Sequence, residues 1–347
     1  MKWWRGTKEK TDRNRKNFAH NSGDDMSGFI HTVGALVTGF KPGDRVAAYH
    51  RSGSPHGTFA EYAIAPAHMT FRIPEHLSFE EAATIPLAAH TAALALYVDL
   101  NIPLPFTKAR GLDVNLHHKN PILIYGITSS CGAFAAKFAR LSGLSPIIGV
   151  AGRAVDLANT LADYVVDYRS GEDALITSIQ TILEKEGLPP MLPRVFDAIS
   201  EDGSLEATLR IIDPNTGIVN TLLPPKLFAR DKEAFEYPEG VTAINTAAPK
   251  LFDEFKSFGY TWSHYMEFLL QEGSLKGHPF EVVPGGLHGV LDGLRNLRDG
   301  KASGIKYVYR IDETGDVGLV KVEMRGDMAG EVSESIANFP FSVNTTR

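Results

Sequence analysis

The chain has 347 residues, too many for one ordinary hydrophobic core, so two domains are expected. Its 43% apolar and 22% charged residues are those of a soluble globular protein, and a net charge of −6 argues against nucleic acid as the main partner. The single cysteine, Cys131, excludes an internal disulfide and a Cys-cluster zinc site, and fits a reducing, cytoplasmic interior. No apolar run is read as approaching the ~20 residues of a membrane span.

Residues 1–23 form a polar, basic leader without the apolar stretch of a secretory signal, and composition predicts disorder there. From Asp24 to about Pro74 the chain is Gly-rich and β-like. "FKPGDRVAAYH" carries a Pro-Gly turn into a short strand, and "GTFAEYAIAP" predicts another. Helix begins at "LSFEEAATIPLAAHTAALALYVDL", where Ser78 precedes Glu80 and Glu81 as a capped first turn.

Six short apolar runs follow, starting near Ile122, Ile147, Tyr164, Arg194, Gly217 and Val241, most of them separated by enough chain for a helix. That alternation predicts a parallel sheet covered on both faces, a doubly wound α/β domain. A helix over 249–272 comes next, then a Gly-rich return through "LRDGKASGIKYVYR". The last 36 residues, from Asp312, are acidic with weak strand character.

The stretch "ILIYGITSSCGAFAAKFARLSG" has the order strand, turn, helix of a dinucleotide-binding unit. Gly132 retains the position that lets helix and strand pack closely, but Ser129 stands where phosphate usually approaches a glycine. Thr128, Ser129 and Ser130 offer hydroxyls at a helix N-terminus, whose N–H groups favour anions. Taken alone, the turn reads equally well as a Ser-capped helix with no ligand. The second strand breaks the tie: it ends "GVAGR", with no acid before Asp156 to take a ribose 2′-hydroxyl. Gly152 leaves room there and Arg153 offers a bidentate partner to a 2′-phosphate, so NADPH is the expected cofactor.

These segments, with "IPEHLSFEEAATIPLAAHTAALALY" and "DYVVDYR", resemble the zinc-independent medium-chain dehydrogenase/reductase superfamily over about Asp24–Ile311. The serine-rich turn is similar to that of the fungal trans-acting enoyl reductases. The resemblance implies a doubly wound Rossmann domain at 86–272 and a GroES-like β-rich domain at 24–85 and 273–311, followed by an extension at 312–347. It implies NADPH at Thr128–Cys131, Gly152, Arg153 and Tyr168, with Ala302 and Ser303 closing over it. Pro86, Leu87, Ala88, Ala89, His90, Thr91, Ala92 and Ala93 would line the substrate channel. The implied reaction delivers hydride to the β-carbon of an enoyl thioester or enone, small or carried on an acyl carrier, with a polyketide synthase as the implied partner in fungal secondary metabolism.

The superfamily places further barrel strands ahead of the segment matched by Asp24 onward, and the leader stands in that place. The GroES-like domain is therefore expected to be truncated, with unpaired edges on the strands around Val46 and Tyr62 and faster exchange over 24–74 than over 121–248. No catalytic residue is carried over. His50 and His56 are read as loop histidines, His117-His118 as solvent-exposed, Cys131 as a small packing residue, and His90 as a helix histidine able to donate a proton. Asp197 fits either a strand-end turn or a loop near the cofactor. A quinone reductase and a non-catalytic NADP-binding remnant stand as rival functions.

Overall fold

The computed structural model describes residues 23–106, 119–201, 203–233, 235–315 and the backbone of 341–344. Residues 1–22 of the leader and His117-His118 lie outside the described residues. The chain forms two compact units, one up to Leu87 and again from Pro249, the other from Ala88 to Ala248.

The first unit opens with strands β1 (Asp25–Val33), β2 (Arg45–Tyr49), β3 (Tyr62–Ile64) and β4 (Thr70–Arg72). Between β1 and β2, Pro42 sets the turn's first dihedral and Gly43 takes φ +89°, the left-handed geometry its second central position needs. Helix α1 (Phe79–Ala82) is capped by Ser78, whose hydroxyl accepts from the Glu81 N–H at 3.1 Å. Helix α2 (Pro86–Ala93) runs into a π-helical turn, Leu94–Asp99. By length and composition Phe79–Asp99 could cross a membrane, contrary to the reading that no such run exists. It passes because it is core: 78% of its apolar window is buried.

The second unit carries β5 (Ile122–Tyr125), α3 (Ser130–Leu141), β6 (Ile147–Ala151), α4 (Val155–Leu161), β7 (Tyr164–Asp167), α5 (Glu172–Lys185), β8 (Arg194–Asp197), α6 (Ser204–Leu209), β9 (Ile218–Thr221), α7 (Pro225–Phe228) and β10 (Thr242–Asn245). All six strands are parallel, in the order β10-β9-β8-β5-β6-β7. Helices cover both faces, so the strands read as unbroken apolar runs rather than alternating ones. One core layer packs Leu123, Ile148, Val150 and Val195 against Ile179 and Leu183 of α5. The doubly wound sheet is the one the six runs predict.

The chain then returns to the first unit with α8 (Lys256–Gln271), β11 (Phe280–Val282), α9 (Val290–Arg298), β12 (Lys306–Val308) and β13 (Phe341–Asn344). The expected 86–272 span of the nucleotide-binding half includes α8, but α8 packs on β4 and the turn before it, in the first unit. The Arg72 N–H donates to Glu267 at 3.1 Å, Ser263 Oγ donates to the His68 carbonyl at 3.0 Å, and Gly259 gives Met69 room.

The antiparallel sheet has the order β3-β13-β1-β2-β4, so the expected open edge is absent on the strand around Val46 and present on the strand around Tyr62. Both sides of β2 are taken, by β1 and β4, and Val46, Ala47 and Ala48 are fully buried. β3 is an edge, yet its inner side pairs with β13, a strand nearly 280 residues later in the chain. Residues 24–74 therefore own a core, built from Met26, Ile30, Val46, Ala48, Ala63 and Ala65.

His68 gives this unit a pH signature. Burial, with Lys256 nearby, pushes its imidazole down to about 4. The folded protein holds it neutral while the unfolded chain takes up a proton below about 6.5. Stability from the neutral ring is thus present above the unfolded value and lost as pH falls from there toward 4. Urea midpoints measured across that range should fall with acidification, and His68→Phe should flatten the fall.

Candidate functional site

In an open α/β sheet, ligands bind beyond the carboxyl ends of the strands where the strand order reverses. Here that point lies between β5 and β8, and two turns meet there. After β5, Gly126 takes φ +73°, and a Cβ on it would come within 2.4 Å of the Ile199 side chain from the turn after β8. Gly132 is the close-approach glycine, since a Cβ there would sit 2.3 Å from the Gly126 carbonyl. α3 therefore starts tight against β5, with its N-terminus at the crevice.

Ser129 is the N-cap of α3: its Oγ accepts from the Gly132 N–H at 3.1 Å. The capped-helix reading and the cradle reading turn out to be compatible, because the same hydroxyl keeps a proton to donate. Thr128, Ser129, Ser130 and Cys131 are all part-exposed at this helix end, which suits them to contact a ligand.

The second strand end supplies the other half. Gly152 is buried, and a Cβ there would meet the Tyr168 ring at 2.6 Å, so the missing side chain lets Tyr168 lie across the end of β6. Tyr168 keeps 47% exposure and its ring centroid stands 6.4 Å from that of Tyr125. Arg153 is exposed beside it. Asp167, which ends β7, is claimed by Arg169 through its backbone N–H and guanidinium, and its carboxyl is held down at about 2.

Asp197 resolves to the strand-end turn. Its carboxylate accepts from the Ile199 and Ser200 N–H groups at 3.0 and 2.8 Å and from Ser204 Oγ at 2.7 Å. Complete burial pushes it up to about 6 despite these donors. It shapes the turn whose Ile199 packs on Gly126. A polar cluster that the sequence reading missed lies beyond β9 and β10. Asn220 donates to Asp99 at 3.1 Å and to Thr246 at 2.8 Å, and Thr246 also bonds Asp99. The π-helical turn brings Asp99 there, and nothing in its local sequence marks it.

Of the expected substrate-lining residues, Ala88, Ala89, His90, Thr91, Ala92 and Ala93 are buried, His90 completely. Pro86 is buried too, and Leu87 is part-exposed in the first unit. Ala302 and Ser303 lie, part-exposed, in the turn before β12. His50 is a loop histidine as expected, the first residue after β2, but a buried one: it is 3% exposed, with Nδ1 2.6 Å from the Ile64 carbonyl and Nε2 3.1 Å from Ser54 Oγ. Among the described residues no three His, Cys, Asp or Glu side chains group as a metal site.

The first unit holds a cavity of 610 Å³ between β1, α1, α9 and β12. Asp25 on its wall accepts from Lys306 Nζ and the Leu87 N–H, both at 2.6 Å.

A family model described as the alcohol dehydrogenase GroES-like domain matches residues 3–75. A trans-enoyl reductase of Gibberella fujikuroi is 36% identical over 274 residues, 78% of this chain and 77% of that protein. A second, from Aspergillus sclerotiorum, is 34% identical and covers 83% and 85%. A solved quinone oxidoreductase of Pseudomonas syringae superposes with TM-score 0.61 at 19% identity, over 83% of this chain and 82% of that one, which speaks to the fold. The Rossmann sheet, its switch-point turn and the GroES-like unit define an oxidoreductase of the medium-chain dehydrogenase/reductase superfamily, built for a nicotinamide cofactor. Within it, the chain belongs to the trans-enoyl reductase family.

Proposed function

We propose that this protein is an NADPH-dependent, zinc-independent reductase of the activated double bond in an enoyl thioester, working in trans with a polyketide synthase in the cytoplasm. The observation that carries the reading is the pair of strand ends in the second unit. One offers a part-exposed hydroxyl turn at a helix N-terminus, and the other offers Gly152 against Tyr168 and an exposed Arg153, with no acid in the sequence before Asp156. The donor set suits a pyrophosphate at the first and a 2′-phosphate at the second. Bound there, a nicotinamide would supply hydride to the β-carbon while the α-carbon takes a proton, which gives the saturated thioester and the oxidised cofactor.

The chain's own part is positional. Gly132 sets α3 close to β5, Ser129 and its neighbours hold the anionic link, and Asp197 fixes the facing turn. The membership of the trans-enoyl reductase family supplies the substrate class. Incubating purified protein with NADPH and a short enoyl-pantetheine tests the reading. Oxidation of NADPH matched by saturated thioester supports it. NADPH binding without turnover on enoyl thioesters or quinones would favour a non-catalytic nucleotide-binding chain, and turnover of quinones alone would favour a quinone reductase.

Cofactor choice follows from Arg153. A charge-assisted contact to the 2′-phosphate is worth roughly 1.5–3 kcal/mol, or about 10- to 150-fold. Titration should show NADPH binding tighter than NADH by a factor in that range, and Arg153→Ala should erase the preference while leaving NADH affinity alone. Equal affinity for both in the parent protein contradicts it.

Zinc independence rests on the single cysteine and on the ungrouped ligands among the described residues. Prolonged chelation, or added zinc, should leave both melting temperature and NADPH oxidation unchanged. Stoichiometric zinc in elemental analysis of the active protein overturns this part of the proposal.

A further inference from the structure

Resting on the cofactor reading above, we propose that Arg230 is a further specificity-determining residue of the second unit: its guanidinium forms the wall on which the adenine base of NADPH lies, facing Tyr168. Two contacts fix where the guanidinium stands. Its Nη1 meets the Glu172 carboxylate at 2.8 Å, in the first turn of α5 beyond β7. Its other edge fills the space left by Gly203 beyond β8, where any side chain would collide with Nη2, Cζ and Nε. In the sheet order β8-β5-β6-β7, the strands between those two turns are β5 and β6. These are the strands that lead into the hydroxyl turn and Gly152, so Arg230 stands beside the strand ends where the cofactor is proposed to lie.

Two tyrosines share this space. Tyr125 ends β5 on the face packed by α5 and α6, with its ring centroid 6.4 Å from that of Tyr168. Burial, with Asp197 and Tyr168 nearby, raises the Tyr125 phenol above its ordinary value, and Arg230 opposes the rise. Arg230 and Tyr168 therefore both lie close to one phenol. Tyr168 is 47% exposed and Arg230 keeps 56% of its side chain exposed, so each leaves surface for a ligand.

The way Arg230 is held selects what it can recognise. Its backbone N–H donates to Glu206 Oε1 at 2.7 Å, and Glu172 is clamped from another side by Arg210 at 2.9 Å. The contacts to Glu172 and Gly203 occupy the rim of the guanidinium, and among the described residues no aromatic ring covers its face. A guanidinium bound by its rim has few N–H groups left to fork around a phosphate, but its plane can stack on a flat π-system. Adenine is such a system. Two arginines then divide the work, Arg153 taking the 2′-phosphate and Arg230 the base.

Two probes isolate the base: adenosine 2′,5′-bisphosphate, and the methyl riboside 2,5-bisphosphate that lacks adenine. A base stacked on both faces should make the parent protein favour the first by about 100-fold in calorimetry. Arg230→Ala should cut that ratio about tenfold, the size of a part-desolvated cation–π contact, and Tyr168→Ala should cut it comparably. Arg230→Lys keeps a charge for Glu172 without the plane, and its ratio should fall between those of parent and alanine variant. If Arg230 merely anchors the segment between α7 and β10, both probes weaken together in its variants and the ratio holds, which overturns the proposal. A parent protein that binds neither probe overturns it together with the cofactor reading. Binding of both probes with a ratio untouched by Arg230→Ala and Arg230→Lys overturns this inference alone.

Discussion

Ser129→Asp should abolish binding of the nicotinamide cofactor while leaving the second unit folded. Aspartate is as good an N-cap as serine and favours a helix N-terminus, so the Gly132 N–H keeps an acceptor and α3 keeps its start. The same carboxylate would face the pyrophosphate. Two unit charges about 4 Å apart at an effective dielectric of about 20 repel by about 4 kcal/mol, nearly a thousandfold in affinity. Ser129→Asn is the control, preserving the cap without the charge. Calorimetry should show no NADPH binding for the aspartate variant, near-parent binding for the asparagine variant, and the same circular dichroism for both. Retained affinity in Ser129→Asp would mean that the turn is a capped helix and nothing more.

The second large effect concerns stability. The Asp197 carboxylate accepts from three buried or part-buried donors: the Ile199 and Ser200 N–H groups and the Ser204 hydroxyl. Asp197→Ala strands them, and at about 1–3 kcal/mol for each unsatisfied group the loss should be on the order of 3–5 kcal/mol. Asp197→Asn should cost far less. Its carbonyl can keep both N–H groups, and its amide can donate to Ser204 Oγ, much as the protonated acid would. The folded acid sits near 6, above the ordinary 3.8. Its contribution is complete below the ordinary value and is lost as pH rises through about 6, and the asparagine variant should lack that slope. Urea unfolding at several pH values checks both statements, and an alanine variant as stable as the parent contradicts them.

The part of this architecture legible in the sequence is the part with a local cause. Strands buried on both faces must be apolar at consecutive positions, so β5 and β6 announce themselves as short runs, and Ser78 and Ser129 each precede an N-terminal turn they go on to cap. What stayed hidden depends on partners far away in the chain. Nothing near Val46 shows that β2 has neighbours on both sides, and nothing near Tyr62 foretells β13. Asp99 looks like the polar end of an apolar helix until the π-helical turn sets it against Asn220 and Thr246. His50 gives no local sign that its loop is buried, because the Ile64 carbonyl its ring meets lies fourteen positions on. The segment Phe79–Asp99 was too apolar to look like anything but a helix, and only burial separates a core helix from a spanning one.

The proposed reaction, NADPH-dependent reduction of an enoyl thioester, leaves a signature in where the transferred hydride ends up. Incubating the protein with NADPH deuterated at the transferable position and a short enoyl-pantetheine, then locating the label by mass spectrometry and NMR, tests it most directly. NADPH-dependent enoyl reduction gives saturated thioester with a single deuterium at the β-carbon, and no product from Ser129→Asp. Saturated product without label, label on a carbonyl carbon, or unchanged turnover in Ser129→Asp would contradict it.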